Sequence, residues 1–159
     1  MDSQHPERLN PHWIVGFIDG EGCFSVSFSK REKFRLGLEV RASFSVSQKS
    51  HSRSVLDQIC TELGCGSVRY SAKDDTWKYE TRDIRDITEK IIPFFQKYPL
   101  LTNKRNDFAL FVEICNLIRT NHHLSRDGLI DIINLATQMN SSGTRKYSRE
   151  QLLDMVRKA

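Results

Sequence analysis

A strict two-residue alternation is the strongest constraint in this 159-residue chain. From Arg35 to Ser47 the even positions are Leu36, Leu38, Val40, Ala42, Phe44 and Val46, and every odd position is polar or glycine. Successive side chains of a strand point to opposite faces, so the pattern predicts one long strand with a buried face and a wet face. The preceding run repeats it, with Phe24, Val26 and Phe28 set against Ser25, Ser27 and Ser29. Lys30, Arg31, Glu32, Lys33 and Phe34 lie between the two runs as a charged connection, which makes them an antiparallel hairpin.

Helical and strand signals then alternate along the chain. Ser52 to Leu63 places Val55, Leu56, Ile59, Cys60 and Leu63 on one face, with Gly64 as the stop. Ser67 to Ser71 and Thr76 to Arg82 read as a second, shorter hairpin around Lys73, Asp74 and Asp75. Asp83 opens a helix with Ile84, Ile87, Ile91 and Ile92 as its apolar stripe and Pro93 as its limit. Further helices are expected from Asn103 to Arg119 and from Ser125 to Gln138, and Ser148 with Gln151 forms a capping box for a last short one. At the front, Asn10 suits an N-cap and Pro11 the first helical position, and the helix they open must stop at Gly20 and Gly22. The order is helix, two strands, helix, two strands, helix, then C-terminal helices, an α+β arrangement in one domain spanning 1–159.

Composition narrows the class. The longest uncharged apolar stretch, His12 to Ile18, is far short of the ~18 residues a membrane span needs. The opening residues Asp2, His5, Pro6, Glu7 and Arg8 carry no secretory pattern. Neither a membrane nor secretion is expected. Cys23, Cys60, Cys65 and Cys115 lack zinc-site spacing and read as reduced, buried residues. Adjacent helical residues diverge by about 100°, so His122 and His123 read as a loop or helix-end pair and not as a metal pair.

The net charge of +4 is unevenly placed: residues 29–53 alone carry +5, residues 81–106 carry +3, and residues 1–28 carry −3. A basic stripe on one hairpin is the electrostatic footprint of a nucleic-acid binder. An exposed antiparallel face is polar in any case. The Ser, Arg and Glu side chains of this one, beside a basic connection, are nevertheless groups that read base edges in a major groove wide enough for a two-stranded ribbon. The expected DNA contacts are Ser25, Ser27, Ser29, Arg31, Glu39, Arg41, Ser43, Ser45, Arg69, Ser71 and Lys73, with Arg145 and Lys146 as phosphate contacts.

The first helix carries the chemistry. Trp13, Ile14, Val15, Phe17 and Ile18 point all round it, so it needs cover on every side, and Gly16 would let a partner helix approach closely. Asp19 and Glu21 sit at its C-terminal end, where the helix dipole disfavours acids. Carboxylates there suit a divalent cation or a neighbouring N–H. Mg²⁺ takes one or two carboxylates plus waters and phosphate oxygens, the arrangement used in phosphodiester hydrolysis.

The run Ile14-Val15-Gly16-Phe17-Ile18-Asp19-Gly20-Glu21-Gly22 resembles the motif of the LAGLIDADG homing endonucleases, matching its glycines and both acidic positions. The similarity continues through Phe44 to Lys49, Leu63 to Arg69 and Asn140 to Tyr147. It implies an αββαββα core with a four-stranded antiparallel, saddle-shaped sheet: 8–22 as motif and dimer helix, 23–106 as the rest of the core, 107–159 as C-terminal helices. By this resemblance Glu21 and the Gly20 carbonyl hold Mg²⁺, a site that Mn²⁺ or Ca²⁺ can also occupy, and Asp19 caps the partner helix. Gln48 places solvent and Lys104 is the active-site lysine, with Asn103 the alternative at that position. Ser52 stands where some members carry an arginine, and Arg53 is its neighbour.

No second Gly-x-x-Asp-Gly-x-Gly occurs in residues 23–159, and cutting two strands takes two centres. A homodimer is therefore expected, paired through Trp13, Val15, Gly16, Ile18 and Asp19 on a nearly palindromic duplex. The resemblance implies an intron-encoded, site-specific enzyme that hydrolyses both strands across the minor groove and leaves 3′ overhangs. It acts on no small molecule, and its setting is an organelle (chloroplast or mitochondrion) or a microbial cytoplasm. An RNA maturase that assists splicing and a non-catalytic DNA-binding regulator stay open as rival readings.

Overall fold

In the computed structural model, which describes residues 7–159, the alternating hairpin forms one side of a four-stranded antiparallel sheet. Residues 1–6, with Asp2, His5 and Pro6 of the N-terminal reading, lie outside the described residues. Strands β1 (Gly22–Lys30) and β2 (Leu38–Lys49) pair from Gly22 opposite Val46 to Lys30 opposite Leu38. The shorter β3 (Ser67–Ser71) and β4 (Thr76–Thr81) complete the order β1-β2-β4-β3. Helix α1 (Pro11–Glu21) precedes the sheet, and α2 (Arg53–Leu63) joins its two hairpins. After β4 come α3 (Ile84–Asp86), a π turn (Ile87–Ile91) and α4 (Ile92–Lys97) as one continuous rod. Helices α5 (Lys104–Arg119), α6 (Arg126–Ala136) and α7 (Arg149–Lys158) follow. The αββαββα order is as expected.

Local chemistry sets the boundaries. The Asn10 side chain accepts the His12 N–H at 2.9 Å, and Pro11 opens α1. Gly64, at φ 69°, ends α2 in the left-handed region. Strand β2 begins three residues later than the alternation indicates, because Arg31 to Gly37 are held in turns: Phe34 N–H donates to the Arg31 carbonyl and Gly37 N–H to the Phe34 carbonyl. Pro93 does not stop its helix. Ile92 N–H donates to the Ile87 carbonyl across the wider π turn, so the chain meets Pro93 at the start of a fresh α segment, where a missing N–H costs least.

The even-numbered faces of β1 and β2 make the core floor, and Phe24 is its centre. Its ring lies 4.9 Å from Phe44, 5.4 Å from Phe95, 5.1 Å from Phe108 and 5.3 Å from Phe111 between centroids. Strand β2 and helices α4 and α5 converge on this one side chain, which is fully buried. A second tie runs across the edge strand: the Asn140 side chain donates to the Phe24 carbonyl at 2.9 Å, while its own N–H donates to the Asp107 carboxylate at 3.0 Å. Phe24→Ala is expected to cost about 3–5 kcal/mol, read as a lowered urea midpoint, with Phe24→Leu costing markedly less.

Candidate active centre and nucleic-acid interface

At the end of α1 the chain passes directly into β1. The Gly22 N–H donates to the Ile18 carbonyl, and a Cβ at Gly22 would meet Ile18 Cγ2 at 2.6 Å. That close turn leaves Glu21 exposed where helix becomes strand. Lys104, the first residue of α5, reaches the same point and donates its Nζ to the Ile18 carbonyl at 2.8 Å and the Asp19 carbonyl at 3.1 Å. Asn103 does not come to this place; its side chain accepts from Asn106. Gln48 is half-buried on β2, two residues beyond the Gly22–Val46 pair, so the register carries it toward the end of α1. Its cross-strand partner is Trp77, whose ring lies 4.0 Å below the Arg53 guanidinium.

Asp19 departs from expectation. Its carboxylate accepts from the Leu101 N–H at 2.7 Å, the Thr102 hydroxyl at 2.7 Å and the Thr102 N–H at 3.3 Å. It therefore holds the segment of its own chain that leads into α5. Partial burial acts to raise its pKa, but the hydrogen bonds from Leu101 and Thr102 and the nearby Lys104 hold the carboxyl below the usual aspartate value. Val15 and Ile18, expected at a dimer interface, are 6% and 0% exposed within this chain and belong to its core. The open face of α1 is instead Trp13, Gly16 and Gly20, with Phe17 stacked on Trp13 at 5.2 Å. A Cβ at Gly16 or Gly20 would meet nothing within 4 Å.

The wet face of the sheet runs outward from this centre. Cross-strand register aligns Ser25 with Ser43, Ser27 with Arg41 and Ser29 with Glu39, and the Ser25 and Ser43 hydroxyls are 2.7 Å apart. Glu39 accepts from Arg31 at 3.0 Å and Arg41 at 2.9 Å, and those two bonds hold its carboxyl below the usual glutamate range. The contacts expected from sequence left out the polar side chains of β4: Lys78 stands between Ser47 and Arg69, and Glu80 between Ser45 and Ser67. Burial acts to raise the Glu80 pKa, yet the Lys78 and Arg82 contacts at 3.0 and 3.2 Å bring it below the ordinary value. The signal was legible, since Thr76, Lys78, Glu80 and Arg82 alternate with Trp77, Tyr79 and Thr81.

Four expectations need correction or narrowing. Ser45 is 8% exposed, hidden between Cys23 on β1 and Glu80 on β4, so it is shielded from a ligand on this face. Arg145 donates through Nη2 to the Ala136 and Met139 carbonyls, so that part of its guanidinium caps the end of α6. Cys23 is exposed on the wet face and is not a core residue; all four cysteines are free thiols. Lys73 and Ser71 lie at the β3–β4 turn, where Ser71 bonds Asp74 at 3.3 Å. The remaining expected contacts, including Arg69 and Lys146, are on the surface.

With a polar sheet face leading to an acid and a lysine at a helix end, comparison with known proteins is decisive. The model of the LAGLIDADG endonuclease family matches residues 14–115. The chain belongs to the LAGLIDADG endonuclease family. The probable intron-encoded endonuclease 2 of Neurospora crassa is 32% identical over 154 residues, covering 94% of this chain and 34% of that protein. The archaeal intron-encoded homing endonuclease I-Vdi141I, complexed with DNA, superposes with a TM-score of 0.86 at 31% identity, over 93% of this chain and 94% of that one. I-SmaMI, bound to an uncleaved DNA target in the presence of calcium ions, gives 0.82 at 37% identity, over 87% of this chain and 47% of its own. The chain spans 25% to 36% of the length of four curated relatives that it matches.

Within this family member the Asp19 cap is a stability device. Asp19→Ala is expected to cost about 1 kcal/mol at neutral pH, the low end for charge-assisted bonds once solvent access is counted. Because the folded-state pKa is depressed, that contribution is full above the ordinary carboxylate value of about 3.9 and disappears as pH falls through the folded-state value. Urea midpoints of wild type and variant should thus differ at neutral pH and converge in acid.

Proposed function

We propose that this chain is half of a site-specific DNA endonuclease, intron-encoded like its Neurospora relative. Two copies would pair through the open face of α1 and hydrolyse both strands of a long, nearly palindromic duplex. The observation that carries this reading is Glu21, a bare carboxylate at the end of α1 with Lys104 two carbonyls away, at the head of a sheet face rich in hydroxyls and basic groups. The whole chain acts as one unit in this reading, supported by a buried apolar cluster that runs from Ile14 to Val156.

The donor set fits a shared divalent cation. Among the described residues no three His, Cys, Asp or Glu side chains are placed to hold a metal ion together, so they form no closed cage. One carboxylate per chain, two chains and the DNA phosphates together match what Mg²⁺ takes. Glu21 and the Gly20 carbonyl would hold it. The cation would supply charge stabilisation at the scissile phosphoryl oxygen and a more acidic bound water. Lys104 would place positive charge against the phosphate, and Gln48 would orient solvent from the end of β2. Calcium with the I-SmaMI complex supports a divalent cation in this role. Intron-encoded relatives support an intracellular setting, in an organelle or a microbial cytoplasm.

Pairing through α1 explains Gly16 and Gly20. Glycine in a helix costs about 1 kcal/mol relative to alanine, and nothing in this chain crowds either position. A closely approaching second helix supplies the reason. Gly16→Leu is expected to leave the fold intact and turn a dimer into a monomer in sedimentation; a dimer that persisted would place the interface elsewhere.

The central test is Glu21→Gln assayed on the intron-less sequence that flanks the coding insertion. Duplex binding should be retained while Mg²⁺-dependent cleavage drops about 10³-fold or more, the scale of several kcal/mol of charge stabilisation. Cleavage surviving that change would overturn the assignment of Glu21. Binding by the wild type with no cleavage at all would favour the regulator. Mapping both nicks reads whether the ends carry 3′ extensions.

A further inference from the structure

The connection between β1 and β2 is tied to a part of the chain 89 residues away: Arg35 Nη2 donates to the Leu124 carbonyl at 2.6 Å. That carbonyl belongs to the 3₁₀ turn His122–Leu124, between α5 and α6. The turn is itself a fixed post. Leu124 N–H donates to the Asn121 carbonyl, the Ser125 hydroxyl donates to the His122 carbonyl at 2.9 Å, and Gly128 N–H donates to the Ser125 hydroxyl at 3.0 Å. Apolar packing between connection and post is incomplete. A cavity of about 560 Å³ lies there, lined in part by Phe34, Leu36, Val40 and Leu124. Phe34 is 38% exposed and Leu124 57%. Among the described residues, the Arg35 bond is the hydrogen bond that spans this gap.

The place of the bond in the fold gives it meaning. Strand β1 starts beside Glu21, and its eight steps to Lys30 cover about 26 Å at 3.3 Å per residue. Helix α5 starts at Lys104, in contact with the end of α1, and its sixteen residues cover about 24 Å at 1.5 Å per residue. Both elements leave the same corner of the molecule, and Arg35 joins their far ends. The connection it holds carries Arg31, whose N–H donates to the Gly37 carbonyl and whose guanidinium clamps Glu39. About 26 Å of strand corresponds to roughly eight base pairs of duplex.

The geometry assigns Arg35 as a positioning residue that sets the pose of residues 31–37 and so fixes specificity at the outer positions of each half-site, about eight base pairs from those beside Gly22. It rests on the endonuclease reading above. Leu124 and the turn behind it, though distant from the wet face, then belong to the apparatus of recognition.

The test compares wild type, Arg35→Gln, Arg35→Lys and Gly128→Ala on duplex libraries randomised at outer and inner positions. A Cβ at Gly128 would meet the His122 carbonyl oxygen at 2.0 Å, so that variant shifts the post without removing a basic residue. Arg35→Gln and Gly128→Ala should both lose about tenfold discrimination at outer positions. Discrimination at inner positions, the single-turnover cleavage rate at saturating DNA and the salt dependence of binding should not change. Arg35→Lys, which keeps a long donor, should recover part of the loss. Unchanged outer discrimination in Arg35→Gln overturns the proposal. So does uniform weakening on all sequences with a salt slope reduced by about one, the mark of a phosphate contact. Amide exchange in free Arg35→Gln decides even where Gly128→Ala fails to fold: exchange at residues 31–37 should quicken, and unchanged exchange refutes the tether. A wild type that binds and cuts no duplex would instead defeat the endonuclease reading itself.

Discussion

Everything near Glu21 depends on a reciprocal exchange between two backbone ends. Helix α1 finishes with carbonyls at its negative end, where that of Ile18 already accepts from Gly22, and the segment leading into α5 presents the Leu101 and Thr102 amides. Lys104 of the second answers the first, and Asp19 of the first answers the second. An eleven-residue helix with acids at its negative end would be marginal alone. Docked this way, it is held by charge of the right sign at each end of the contact. Glu21 then needs no partner of its own to be placed, because the backbone on either side of it is already fixed by Gly22 and Lys104. A carboxylate positioned by its backbone keeps its oxygens open to whatever enters from outside.

Much of this was legible from residue order alone, and the failures have definite causes. The alternation at Phe24 to Val46 carried the first hairpin because one face is apolar without exception. It overran at Arg35 because Leu36 is buried from within a turn, and burial alone does not distinguish a strand from the loop feeding it. Pro93 was misjudged because a π turn leaves no trace in hydrophobic spacing. Asp19 and Arg145 were assigned outward roles, yet each satisfies backbone groups of its own chain: the Leu101 and Thr102 amides in one case, the Ala136 and Met139 carbonyls in the other. Such partners are distant in sequence or lie in irregular backbone, and pattern reading sees neither. Ser45 shows the complementary limit, since alternation gives the face of a residue but not the size of the neighbours that flank it.

The wet face also has an internal order that net charge conceals. Glu39 sits between Arg31 and Arg41, and Glu80 between Lys78 and Arg82, so each acid organises two bases. A guanidinium anchored on one side has fewer rotamers to lose when it meets a base edge or a phosphate, which lowers the entropy cost of binding. Each acid also offsets the repulsion between the two cations beside it.

The bond from Asn140 to the Phe24 carbonyl has a consequence beyond joining the C-terminal segment to the sheet. Strand β1 is an edge of nine residues, with no proline or charge before Lys30. Open edges of that kind recruit foreign strands and seed aggregates. Asn140 occupies the carbonyl of Phe24, the third of the strand's nine residues, and the loop from Asn140 to Tyr147 lies alongside Ser25 and Ser27. The sheet is thereby guarded against its own copies at the one margin where its surface is long and uncharged.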